Sequence, residues 1–446
     1  MALERGNPDL RLHFLVWHDA SDELESCLQT ELERLDLEHR DGHGNTALAL
    51  ALKLRHKESA KVLIEYGANP LTDCGEGWKL QQVVACAFVA DAAFQRFFIQ
   101  SCCRTKWDFW RKRAQDFAET LRNIPDCTIT MIWTFSTWVP MVSSLLPSDT
   151  VTIRKKGPRL RMDYTLKTLS QVKNFQRGKF SILADPAQTK AFFLDHEKKV
   201  IDSIERMMLS PSPEEIKRQL GGKRMKRGKL HTKNSIAELS YSTSWISGKK
   251  SPVVQDVGQF RGCQQYTLSS LEYHSRRLSA SVAQPTSEPS VLGRSALNAE
   301  DTSMHNYFAD DLEEAPELSD MLAASHSMLH VVNEEPKVRT LNPVSLLVTH
   351  DFPLTKQQVA SIAEVVGASE ERYASVSRFL TSKLPDGFPV QSTIPLFHAL
   401  SATISFTQCN FDTIPDSVFE VPDYGPKVLP DPPSLSASRH SSSGVK

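Results

Sequence analysis

The stretch that most constrains this chain is residues 41–70, DGHGNTALALALKLRHKESAKVLIEYGANP. It opens on a turn signal, DGHG, and Thr46 follows where its hydroxyl can accept from the free amides of a first helical turn. Two segments with apolar residues at i, i+3 and i+4 come next, and Gly67 stands where a helix can end in a left-handed residue. A turn followed by two helices, with a period of about 33 residues, is the pattern of an ankyrin repeat.

A single unit of this kind cannot bury its apolar faces, so the pattern predicts neighbouring units. The same three-point spacing occurs on both sides of residues 41–70. The matching positions are Leu12, Leu15, Val16, Leu24, Cys27 and Leu28 upstream, and Leu80, Val83, Val84, Phe94, Phe97 and Phe98 downstream. We therefore predict about three ankyrin repeats in residues 1–104, the outer ones degenerate. An unrelated array of helical hairpins is the alternative.

Ankyrin repeats are binding scaffolds and bring no chemistry of their own. We expect the turns between the helices, together with the concave row of helices, to form a contact surface. The candidate partner-binding residues are His39, Arg40, His43, Asn45 and Trp78. His39 and His43 are four positions apart but around a turn, and a metal site would need further ligands, so we interpret them as exposed turn residues.

After about residue 100 the apolar period changes from that of helices to that of strands. Residues 128–135 and 160–166 alternate strictly, which puts every second side chain on one face of a strand. The side chains predicted to share such a face are Ile129, Met131, Trp133 and Phe135, and then Leu160, Met162, Tyr164 and Leu166. Further strands are expected at residues 180–183 and 191–194, and helices at 106–121 and about 200–209. Residues 105–274 therefore read as a β-rich, antiparallel domain.

The following segment, residues 275–340, is poor in aromatic residues and rich in Ser, Ala, Glu and Pro, which predicts a disordered linker. It contains one acidic segment, residues 306–320. Residues 341–425 are expected to be ordered again and to add strands to the β-rich domain, with the linker looping out between. The elements expected there are helices at 356–366 and 371–383 and a strand through Ala402, Ile404 and Phe406.

The predicted fold class is α+β. An N-terminal helical ankyrin stack precedes a β-rich domain with flanking helices and a disordered insertion, and residues 426–446 are predicted to be a disordered tail. The 52 basic and 53 acidic residues nearly cancel, so global charge does not favour nucleic acid as a partner. No signal peptide and no apolar run of about 18 residues is recognisable, which favours a cytoplasmic protein with at most peripheral membrane attachment.

Motifs for chemistry are not found. The eight cysteines are scattered without a Cys-x-x-Cys pair, which is typical of reduced thiols, and the adjacent Cys102 and Cys103 are interpreted as packing residues. The chain has no nucleophile elbow, phosphate-binding loop or zinc-protease motif. We therefore predict a protein that is not an enzyme, with no catalytic, cofactor-binding or metal-binding residues.

A basic run occupies residues 217–233, with eight Lys or Arg and no acidic residue. One interpretation is a patch for anionic lipid, nucleic acid or nuclear import. The other, which its glycines favour, is a solvated loop. On the second interpretation no nucleic-acid partner is expected.

Several short motifs, in this order behind the repeats, make the chain resemble the ankyrin repeat domain-containing protein 13 family. They are FSTWVP at 135–140, DFPL at 351–354, LPDGFPV at 384–390, IPLF at 394–397, ATISF at 402–406 and SVFEVPDY at 417–424. The Trp-Val-Pro and Gly-Phe-Pro-Val blocks are the more specific ones. The resemblance runs from about Leu12 to Tyr424, while the linker and the basic run depart from the family pattern.

The resemblance implies a GPCR-chaperone domain after the repeats. It implies a non-enzymatic chaperone that binds cytoplasmic segments of nascent G protein-coupled receptors at the cytosolic face of the endoplasmic reticulum and controls their exit. Other members of the family carry ubiquitin-interacting motifs, and a ubiquitin-binding endocytic adaptor is the alternative. Residues 317–327, ELSDMLAASHS, come near such a motif, but the position that needs serine falls on Met328. Ubiquitin is therefore not expected as a partner, and the member type without these motifs fits better.

Overall fold

The structure is a computed structural model of the chain. It describes residues 10–75, 77–137, 146–166, 177–220, 226–232, 237–243, 248–268, 271–277, 337–340, 343–367, 371–382, 384–397 and 400–424. These residues contain helices and one large antiparallel sheet, so the α+β class is confirmed. They divide into two compact units: a helical one, which runs from Leu10 to Lys106 and includes a helix at Pro213–Leu220, and one built around the sheet.

The described residues form ten α-helices. They are α1 Arg11–Trp17, α2 Ser21–Glu31, α3 Ala47–Leu54, α4 Lys57–Glu65, α5 Leu80–Ala87, α6 Ala92–Arg122, α7 Ile204–Leu209, α8 Pro213–Leu220, α9 Lys356–Gly367 and α10 Glu371–Leu380.

Helix α3 lies at the centre of the helical unit, where it contacts α1, α4 and α5. Its sequence, ALALALKL, has apolar residues all round, and every one of its residues is buried. The hydroxyl of Thr46 caps it by accepting from the amide of Ala49 at 3.2 Å, as the sequence predicts. Each fully buried leucine contributes about 2 kcal/mol relative to an exposed one, so this helix is a main source of the unit's stability.

The strands number seventeen among the described residues. They are β1 Cys127–Thr137, β2 Ser148–Lys156, β3 Arg159–Leu166, β4 Arg177–Asp185, β5 Lys190–Asp195, β6 Val200–Ser203, β7 Lys226–Thr232, β8 Glu238–Leu239, β9 Tyr241–Thr243, β10 Lys250–Pro252, β11 Val254–Val257, β12 Phe260–Leu268, β13 Leu271–Arg277, β14 Lys337–Thr340, β15 Val344–Thr349, β16 Phe388–Phe397 and β17 Leu400–Asn410.

The large sheet has the strand order β11-β12-β15-β16-β17-β1-β2-β3-β4-β5-β6, with β8 paired to β12. Every pairing in it is antiparallel, and β9-β10 and β14-β13-β7 form two smaller sheets. Strand β17 pairs with β1 from Thr128 to Thr137, with Met131 opposite Phe406. The expectation that the C-terminal block adds strands to the same sheet is therefore confirmed.

One hydrophobic core lies against the sheet. Along α6, Trp107, Trp110, Ala114, Phe117 and Leu121 recur every three or four residues and are buried in it. They share this core with the inward side chains of β1 and β3 and with one face of α9. The side chains predicted to face inward from residues 160–166 are all buried, as are the first two of the four predicted from residues 128–135.

Four boundaries differ from the sequence-based expectation. Helix α6 begins at Ala92 and continues through residue 104, so the helix expected at 106–121 is the second half of a longer one. Residues 200–209 are not one helix. The first four of them form β6, where Ile201 pairs with Leu194 of β5, and α7 begins after them. The ends of the predicted linker, 275–277 and 337–340, are strand residues of β13 and β14. Parts of the basic run belong to α8 and β7 rather than to a loop.

Some sequence motifs lie outside the described residues. They are the Trp-Val-Pro block at 138–140, the acidic segment at 306–320, the near-match to a ubiquitin-interacting motif at 317–328, the rest of the linker at 278–336, residues 221–225 of the basic run and the tail at 426–446.

Candidate binding surfaces

Two stacked turns lie in the helical unit. Arg40 bridges Thr46 across the first turn, and Asp73 bridges Lys79 across the second, 33 residues further along the chain. The carboxylate of Asp41 holds the first turn by accepting from the amides of His43 and Asn45 at 3.0 and 2.8 Å. This arrangement makes the two turns equivalent and sets them side by side.

The two turns are joined directly. The side-chain oxygen of Asn45 accepts from the amide of Gly75 at 3.0 Å, and Arg40 donates to the carbonyl of Asp73 at 3.0 Å. A Cβ on Gly75 would lie 1.7 Å from the carbonyl oxygen of His43, which is a severe steric clash. The turns therefore stack at a spacing that requires glycine at position 75.

The predicted partner-binding residues take different places in these turns. Arg40 and His43 are exposed, and His39 is half-buried. Asn45 and Trp78 are each 1% exposed, so their side chains stabilise the turns from within and are not accessible to a partner. Sequence reasoning placed all five on the surface because position in a turn does not reveal which side chains point inward.

A second polar arrangement lies on the outer face of the sheet, on β3 and β4. Leu160 and Met162 face the core, so the alternate residues Arg161 and Asp163 face outward. Asp163 accepts from Arg161 Nε at 2.8 Å, from the guanidinium of Arg154, and from the hydroxyl of Ser181 at 2.5 Å. Ser181 is fully buried, whereas the side chains of Arg154, Arg161 and Asp163 are partly exposed.

Residues 411–424, which follow β17, cross this outer face; we call them the strap. Three cationic residues hold it, Lys156, Arg159 and Arg161, which we call the basic strip. Lys156 donates to the carbonyl of Ile414 and to the carboxylate of Asp416, both at 2.9 Å. Arg159 forms the second ion pair to Asp416, and Arg161 donates to the carbonyl of Val418 at 2.8 Å.

Two aromatic side chains of the strap complete its attachment. The guanidinium carbon of Arg159 lies 5.0 Å from the ring centre of Phe419, in cation–π contact. The hydroxyl of Tyr424 lies 2.5 Å from Nδ1 of His196, in the turn between β5 and β6. The two cations lower the pKa of the Asp416 carboxyl below its ordinary value by hydrogen bonding, first from Arg159 and then from Lys156.

The hydrogen bonds around His196 select one tautomer of its neutral ring. The single hydroxyl hydrogen of Ser181 goes to the Asp163 carboxylate, so Ser181 must accept from Nε2 of His196, at 2.6 Å. In a neutral ring Nδ1 is then an acceptor for the Tyr424 hydroxyl. Burial lowers the pKa of His196, and the charge of Arg161 lowers it further, which agrees with a neutral ring.

The Ser181–His196 pair is arranged as a structural network. A nucleophilic serine donates its hydrogen to the histidine, whereas here the hydrogen points to Asp163. Burial raises the pKa of the Cys102 thiol to about 12, so that cysteine is a buried, unreactive side chain in this structure. Among the described residues no group of three or more potential ligands is placed to hold a metal ion. None of the helices in the described ranges is long and apolar enough to cross a bilayer.

Sequence reasoning did not find the strap or its basic strip. Residues 417–424 stand out only as a family motif, and the alternation of basic residues in β2 and β3 resembles an ordinary solvated sheet face. The signal that could have linked them is charge complementarity between Asp416 and two nearby cations. Residues 156 and 416 are too far apart in the chain for any periodicity to relate them.

The chain is similar to known proteins over most of its length. The ANKRD13 C-terminal family model matches residues 280–443. Ankyrin repeat domain-containing protein 13B of Mus musculus is 28% identical over 450 residues, which cover 90% of this chain and 67% of that protein. Ankyrin repeat domain-containing protein 13C is 26% identical in Danio rerio, covering 96% of this chain and 89% of the relative, and 26% identical in Homo sapiens, covering 92% and 76%. No solved structure matches the chain.

Proposed function

The chain belongs to the ankyrin repeat domain-containing protein 13 family, and from this premise we propose that it is a non-enzymatic chaperone for nascent G protein-coupled receptors. In this proposal it binds cytoplasmic segments of the receptors at the cytosolic face of the endoplasmic reticulum. It holds immature receptors there and controls their exit. Its attachment to the membrane is peripheral and passes through the receptor.

The observation that carries this proposal is the pair of equivalent turns in the helical unit. Their 33-residue offset equals the ankyrin period, so we interpret the three helix pairs α1–α2, α3–α4 and α5–α6 as degenerate ankyrin repeats. Repeats of this kind present their turns to partners and supply no reaction chemistry. Arg40, His43 and the half-buried His39 are the predicted contact residues that remain accessible.

Proximity labelling in cells tests the proposal. The chain is fused to a labelling enzyme, and biotinylated proteins are compared between the unmodified chain and a His39→Ser, His43→Ser variant. We expect immature receptors of the reticulum to be labelled by the unmodified chain and less by the variant. Glu33→Ser with Arg34→Ser is the matched control, because both side chains are exposed in the same unit and are not predicted contacts.

Two results would count against the proposal. Labelling of endocytic ubiquitin machinery in place of reticulum receptors would favour the ubiquitin-binding adaptor, and deleting residues 317–328 would then reduce capture on ubiquitin beads. A protein pool that does not fractionate with reticulum membranes and captures no receptor would exclude the chaperone. Extraction of the membrane-bound pool by salt or carbonate would support peripheral attachment.

A further inference from the structure

We propose that the basic strip on the outer face of β2 and β3 is a binding site for an acidic peptide of a partner protein that forms a 3-10 turn there, and that the strap is its resident occupant. The partner segment would carry an aspartate or glutamate followed three residues later by an aromatic residue. This inference does not depend on the partner being a receptor, and its test uses purified protein.

Two residues of the basic strip donate hydrogen bonds to backbone carbonyls of the strap. Lys156 donates to the carbonyl of Ile414, and Arg161 donates to the carbonyl of Val418, four positions further along. Contacts with carbonyl oxygens do not depend on the side chains of the bound peptide, and here they hold a segment that forms the 3-10 turn Asp416–Phe419. A segment of another chain in the same conformation would present the same two acceptors.

The side chains of the strap supply the selectivity. Asp416 lies between two cations, and Phe419 lies against the guanidinium of Arg159. Arginine suits this role because its planar group pairs with a carboxylate and stacks on a ring at the same time. The recognised pattern is therefore an acidic residue and, three positions later, an aromatic one.

One cation of the basic strip, Arg161, is held in place by bonds that do not involve the strap. Arg161 is held by Asp163 at 2.8 Å and by Ser181 at 3.2 Å, and Asp163 is bonded in turn to Arg154. These bonds join strand residues to one another and do not involve residues 411–424. A side chain fixed in this way loses little conformational freedom when a new peptide binds.

The strap is held loosely enough to be displaced. Its regular structure is a single 3-10 turn at Asp416–Phe419, and of the strap residues, all of which the structure describes, only Ile414 is buried. Asp416 is 65% exposed, and ion pairs at such exposure add little to stability. The attachment therefore depends on several weak contacts that a competing peptide can replace one by one.

A peptide fits this face better than an anionic membrane does. The strip donates to two carbonyls and stacks on a ring, which are features of a polypeptide and not of a lipid headgroup. Binding to anionic vesicles is therefore the outcome that opposes the proposal.

The experiment measures binding of a fluorescent synthetic peptide with the sequence of residues 411–424. The full chain is compared with its D416K, F419A variant, in which the strap loses its ion pairs and its stacking. If the strap is docked at least about 90% of the time, the variant should bind the probe about tenfold or more tightly than the unmodified chain. Adding K156E and R159E to the variant should abolish this gain, and a scrambled peptide should not bind.

A second measurement protects the test against misfolding of the variant. Hydrogen–deuterium exchange of residues 411–424 is followed in the unmodified chain with excess unlabelled peptide, and exchange should accelerate in this segment. The proposal is overturned if exchange is unchanged, or if the D416K, F419A variant folds and binds the probe no better than the unmodified chain. It is also overturned if vesicles with about one fifth phosphatidylserine bind the variant and the peptide does not.

Discussion

The hydroxyl of Tyr424 donates to Nδ1 of His196 across 2.5 Å, and this bond joins the end of the strap to the turn between β5 and β6. Through His196 it continues to Ser181 and then to the Asp163 carboxylate. Each group in this series donates in the same direction, from the strap toward the sheet. The docking of the strap is therefore coupled to a polar network on the sheet, and the coupling can be measured.

Replacing Tyr424 with phenylalanine removes the hydroxyl and keeps the ring. We expect docking of the strap to weaken by about 1 kcal/mol, the ordinary contribution of one hydrogen bond. Amide hydrogen exchange should accelerate about fivefold in residues 411–424 while the sheet stays unchanged. Tyr241→Phe is the control, because the Tyr241 side chain is 57% exposed in β9, and it should leave exchange unaltered. Equal exchange in both variants would show that the Tyr424 hydroxyl does not hold the strap.

The pKa of His196 predicts how stability depends on pH. Burial and the charge of Arg161 lower this pKa, so between the folded value and about 6.5 the unfolded chain binds the proton more readily. The contribution of His196 to stability is thus complete above about pH 6.5 and decreases as the pH falls below it. The charged and polar groups around it are Arg161, Asp163, Asp195, Lys179 and Tyr424.

Chemical denaturation at about pH 8 and about pH 5.5 measures this effect. The unmodified chain should lose more free energy of unfolding between these conditions than a His196→Gln variant, whose side chain does not titrate. NMR titration should place the pKa of His196 below its ordinary value. Equal losses in the two proteins, with an ordinary His196 pKa, would contradict the assignment of a neutral ring.

The buried cation Lys155 predicts an asymmetry between two variants. Its side chain is 1% exposed and bonds to the carbonyl of Ile124 and to Asp126 at 3.0 Å, whereas the Asp126 side chain is 49% exposed. Asp126→Asn leaves a buried ammonium without its carboxylate and should cost about 3 kcal/mol. Lys155→Met leaves a carboxylate that water can reach and should cost about 1 kcal/mol or less. Urea denaturation measures both, and the reverse order would refute this account of the pair.

Two residues of the helical unit should differ sharply in their effect on stability. Trp78 is 1% exposed, so Trp78→Ala removes a large buried side chain and should cost about 3–5 kcal/mol. His43 is exposed, and His43→Ala should change the free energy of unfolding by about 0.5 kcal/mol or less. Circular dichroism during urea denaturation measures both. If the Trp78→Ala variant unfolded no more easily than the His43→Ala variant, the result would contradict the buried position of the Trp78 side chain.

The sequence predicts strands where apolar residues occupy every inward position. This holds for residues 160–166, whose four inward side chains are apolar and buried. It fails for β2, whose inward positions include Asp149 and Lys155, each buried and satisfied by hydrogen bonds from or to distant residues. A polar residue at an inward position interrupts the apolar alternation, although its partners make it stable in the folded sheet.

The periodicity of the sequence does not predict which distant parts of the chain pair with each other. The three-point apolar spacing predicts the helices around residues 41–70, since helices depend on local spacing. The contact of Met131 with Phe406 and the docking of Asp416 on Lys156 depend on tertiary folding. The candidate strap and basic strip therefore emerge only from the three-dimensional structure, while Ser417–Tyr424 is recognisable beforehand as a motif without a role.

The rate at which a newly made receptor leaves the endoplasmic reticulum tests the proposed function most directly. Pulse–chase labelling follows one receptor from its endoglycosidase H-sensitive to its resistant form, in cells with raised, normal or depleted levels of this protein. The account predicts slower conversion when the protein is raised and faster conversion when it is depleted, with the His39→Ser, His43→Ser variant less able to slow it. Unchanged conversion at all three levels, with altered degradation of internalised receptor instead, would contradict it.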